Sequence, residues 1–146
     1  MKKLQVLSVF FAIAFLVGCF QIKDTSTHQI IAYGAGKLMA IGINEIKPEI
    51  DAPLTTEWES MMSANAGKDE VEATVMIPFY NSCLMIVVGQ EYDRYGLIGD
   101  LTMLLTIFNA ELDPATKQLI TIDPVPISVL KSFELGYANG REITKR

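Results

Sequence analysis

The chain has 146 residues, a formal net charge of −5 and 50% hydrophobic residues. That length suffices for one ordinary domain with a core of its own. The acidic balance argues against nucleic-acid binding and against electrostatic attachment to an anionic membrane.

The first nineteen residues stand apart from the rest. Lys2 and Lys3 precede an apolar stretch, residues 4–17, interrupted only by Gln5 and Ser8. Such a stretch suits the apolar region of an export signal and falls short of the ~20 residues of a spanning helix. Extending it through Phe20 gives 17 residues, so an uncleaved N-terminal anchor is the alternative. The tetrad Leu16-Val17-Gly18-Cys19 resembles the lipobox of bacterial lipoproteins. The resemblance implies cleavage between Gly18 and Cys19, a diacylglyceryl thioether on the Cys19 sulfur and an acylated amine. Several acyl chains, at ~0.8 kcal/mol per buried methylene, would make that attachment effectively permanent. In Gram-negative lipoproteins an Asp after the cysteine favours inner-membrane retention. Phe20 stands there instead, which points to the outer membrane.

This reading divides the chain into a signal peptide (1–18), a lipidated N-terminus with a short tether (19–27) and one helical domain (28–146). The leader holds two of the twelve basic residues and none of the seventeen acidic ones, so the remainder carries −7. With Cys19 modified, Cys83 is the second of two cysteines and has no intramolecular disulfide partner. Its apolar neighbours favour a buried, inert thiol over a reactive one.

Apolar spacing predicts a first helix over 28–47, with Ser26 or Thr27 as its cap. Ala32, Gly36 and Ala40 fall on one stripe, where small residues admit a second helix closely. The glycines of this segment imply either such packing or a break. Pro48 closes the element and 48–53 form a turn. A second helix is expected over 54–66, with Pro53 in its first turn, Thr56 and Glu59 spaced as a capping box, and Gly67 as its stop. Trp58 is expected to lock it onto the first helix. Residues 71–89 read as a helix kinked near Pro78, or alternatively as strands at 71–77 and 84–88. Helical spacing returns over 97–112, ended by Asp113-Pro114. A short strand is expected at 118–122, then a last helix over 127–138, capped by Asn139-Gly140, and a polar tail. The fold class is mostly α, with four to five helices and a short β element; α+β is the alternative.

No motif carries chemistry. Around Gly34-Ala35-Gly36-Lys37, a phosphate loop would need glycine at Ile31 and a hydroxyl residue at Leu38, and a dinucleotide loop would need glycine at Met39. His28 is the only histidine, and a bland role near the tether outweighs catalysis. No metal site and no cofactor are expected beyond the lipid on Cys19, and no catalytic residue is assigned. Glu91, Asp93 and Asp100 cluster in sequence and read as a solvated loop and a helix cap. A carboxylate hydrolase is the enzymatic alternative. Methionines 39, 61, 62, 76, 85 and 103 read as core, or alternatively as the lining of an adaptable groove. Segments 75–88 and 97–108 read as bundle core, with a multi-span protein as the further alternative. The expected function is therefore a non-enzymatic binding or structural role in the cell envelope, with a protein partner there.

Overall fold

The structure, a computed structural model, describes residues 25–88 and 105–145. Its described part is mostly α, with two short two-stranded sheets. Four α-helices appear among the described residues: α1 Thr25–Ile46, α2 Asp51–Ala64, α3 Ala73–Val88 and α4 Ile127–Thr144. A 3-10 turn, Pro48–Ile50, joins α1 to α2. None of these helices is long and apolar enough to cross a membrane.

Glycine and alanine bring α1 and α4 together. A Cβ on Gly136 would lie 2.8 Å from the carbonyl carbon of Tyr33 and closer still to its oxygen. On Gly140 it would meet the Lys37 carbonyl and lie 2.8 Å from the Ala40 Cβ; on Gly36 it would meet the Phe133 carbonyl. The pairs 33/136 and 37/140 advance together, so the two helices run in the same direction. Of the two readings of the α1 glycines, close packing holds at Gly36. At Gly42 a Cβ would meet nothing within 4 Å.

The β elements tie the ends of the helices together. β1 (Glu70–Val71) pairs antiparallel with β4 (Val125–Pro126), and the Ile127 N–H donates to the Asp69 carbonyl at 2.8 Å. β2 (Glu111–Leu112) pairs with β3 (Leu119–Thr121). The Asn81 side chain fastens this hairpin to α3: its Oδ1 accepts from the Leu119 N–H at 2.8 Å and its Nδ2 donates to the Leu119 carbonyl at 3.4 Å. The amide thus mimics a strand edge.

Several expectations are corrected. The helix over 71–88 is right, but it begins after β1, and Pro78 sits on its exposed side. Helix α2 starts at Asp51, and the Thr56 hydroxyl donates back to the Ala52 carbonyl at 2.9 Å and does not cap the N-terminus. Trp58 locks α2 to α4 and α3: its ring stacks on Phe133 at 5.1 Å and meets Phe79 edge-on at 5.7 Å. Asp113 does not end a helix. It turns the β2–β3 hairpin, accepting from the Ala115 and Thr116 N–H groups at 2.8 and 2.7 Å, which holds its carboxyl below the usual range. Helix α4 does not stop at Asn139-Gly140 but continues to Thr144, because Gly140 is a packing residue and not a cap. Ser26 and Thr27 lie inside the first turn of α1 and do not precede it. Residues 97–104 of the fourth expected helix lie outside the described residues.

Candidate functional site

The four helices enclose a cavity of about 290 Å³. Helix α1 contributes Ala32 and Met39, and α2 contributes Leu54 and Trp58. Met76, Phe79, Tyr80 and Cys83 come from α3, with Val129, Leu130 and Phe133 from α4. Leu105, Phe108 and Val125 close the wall. The helical period explains the α3 contribution, since residues 76, 80 and 83 share one face.

The rim is polar. Thr55, Glu59, Glu134, Tyr137 and Arg141 line the cavity as well. Trp58 Nε1 donates to Glu134 Oε2 at 2.7 Å, which fixes the indole between wall and rim. Buried Asp51 organises the same side. Its Oδ1 accepts from the Tyr137 hydroxyl at 2.6 Å and from Asn44 Nδ2 at 3.4 Å, while its Oδ2 pairs with Arg141 Nη2 at 2.7 Å. One carboxylate therefore joins α1, α2 and α4, and it offsets the charge of Arg141. The polar tail expected from residue 141 onward is thus partly structural.

Two groups in the wall are reactive in principle. Burial, with a smaller contribution from Glu57, pushes the Cys83 thiol up to about 12. A thiol so disfavoured as thiolate is a poor nucleophile, in keeping with an inert buried cysteine. Burial also raises the Tyr80 phenol. Tyr80 is 5% exposed, and among the described residues its hydroxyl, itself fully covered, has no hydrogen-bond partner. Buried polar groups in proteins are nearly always paired, so this oxygen is an exception that calls for an explanation.

The void itself is unusual. Protein interiors pack with few gaps larger than one water. A closed, empty cavity of this volume would cost ~7 kcal/mol at ~24 cal/mol per Å³, an upper bound for one that opens to solvent. Ordered water needs two to four polar partners per molecule, and the wall is mostly apolar.

The sequence-derived candidates distribute unevenly over this geometry. Gly18 and Cys19 lie outside the described residues, as do Glu91, Asp93, Asp100 and Met103. His28 meets Phe108 edge-on at 5.4 Å. Met39 and Met76 line the cavity, whereas Met61 belongs to the core and Met85 is exposed. Met76 also belongs to the core, and Met39 and Met62 pack against it, in line with the core reading. Lys37 lies within α1, with its carbonyl facing Gly140, so no phosphate loop exists there. Among the described residues, no three His, Cys, Asp or Glu side chains gather closely enough to hold a metal ion. Helical spacing puts Val129, Leu130, Phe133 and Tyr137 on one side of the last helix, as found, but it singles out neither Tyr80 nor the Asp51–Tyr137–Arg141 network; the 76/80/83 spacing was the one signal that could have found Tyr80. Comparison with protein-family models, with curated proteins and with solved structures finds no match to this chain.

Proposed function

We propose that this chain is a bacterial envelope lipoprotein, anchored through lipid on Cys19, whose domain acts by binding and not by catalysis. The observation that carries the anchor is the tetrad Leu16-Val17-Gly18-Cys19 placed directly after a basic, apolar leader. The binding role is supported by the apolar cavity with its small set of polar groups, the usual composition of a ligand site. Phe20 after the cysteine favours the outer membrane where the cell has one.

Metabolic labelling with radioactive palmitate tests the anchor. Wild-type protein should take up label and fractionate with membranes, and Cys19→Ala should take up none. Unlabelled wild type would overturn the anchor reading. An envelope protein partner is part of the same proposal, and affinity capture of the anchored form should retain it.

A further inference from the structure

We draw no further inference here: the strongest candidate, the apolar cavity enclosed by α1, α2, α3 and α4, belongs to the site already described, and nothing in the structure shows what occupies it.

Discussion

Cys83 places a buried thiol between the cavity and a small satellite core of Ile43, Ile50 and Leu54. Its pKa rises from an ordinary 9.0 to about 12. In the unfolded chain the thiol loses its proton near the ordinary value, whereas the folded protein keeps it. Above pH 9 the unfolded state therefore binds fewer protons, and stability falls as pH rises. Tyr80, also raised by burial, acts in the same direction. The urea midpoint should hold steady up to about pH 9 and then decline towards pH 12. Cys83 alone accounts for a loss on the order of 4 kcal/mol across that window. Cys83→Ala should flatten the decline, although it loses some packing at neutral pH. A wild-type midpoint unchanged between pH 9 and 11 would contradict the buried placement of this thiol.

At the scale of elements, the parallel pairing of α1 and α4 determines where the cavity walls stand. Its backbones approach through Gly36, Ala40, Gly136 and Gly140, so side-chain volume is what the seam excludes. Gly136→Ala would drive a methyl group into the Tyr33 carbonyl and should cost about 1–3 kcal/mol, the range for overpacked cores. Gly42→Ala on the same helix meets nothing and should stabilise by up to about 1 kcal/mol through helix propensity. Thermal melts of the two variants should move in opposite directions; a shared direction would contradict the seam. Half of this pairing was legible in the sequence, because Ala32, Gly36 and Ala40 recur at helical spacing within one segment. Its partner was not. Asn139-Gly140 has the local chemistry of a helix stop, and only contact with Lys37 and Ala40, a hundred residues away, turns Gly140 into a packing residue. Trp58 went astray for the same reason: its spacing marks an apolar face but does not say which helix that face meets. Asp113-Pro114 misled in another way, since the Asx-type turn it makes serves a hairpin as readily as a helix end.

The whole molecule, on the proposed reading, combines a lipoprotein signal in residues 1–19 with a cavity among the described helices, and these were not equally legible. The basic, apolar first segment and the lipobox-like tetrad are local patterns, readable without any tertiary structure. The cavity depends on four helices meeting around a gap, and no periodicity encodes a gap. On the proposed reading, the domain is held at a membrane surface by lipid on Cys19 and carries an apolar cavity among its helices. Intact mass spectrometry of protein purified from membranes tests the anchor on which this account depends. It should show a chain beginning at Cys19, heavier than the bare polypeptide by a diacylglyceryl group and an amide-linked acyl chain. A chain that retains Met1 and carries no lipid would contradict it.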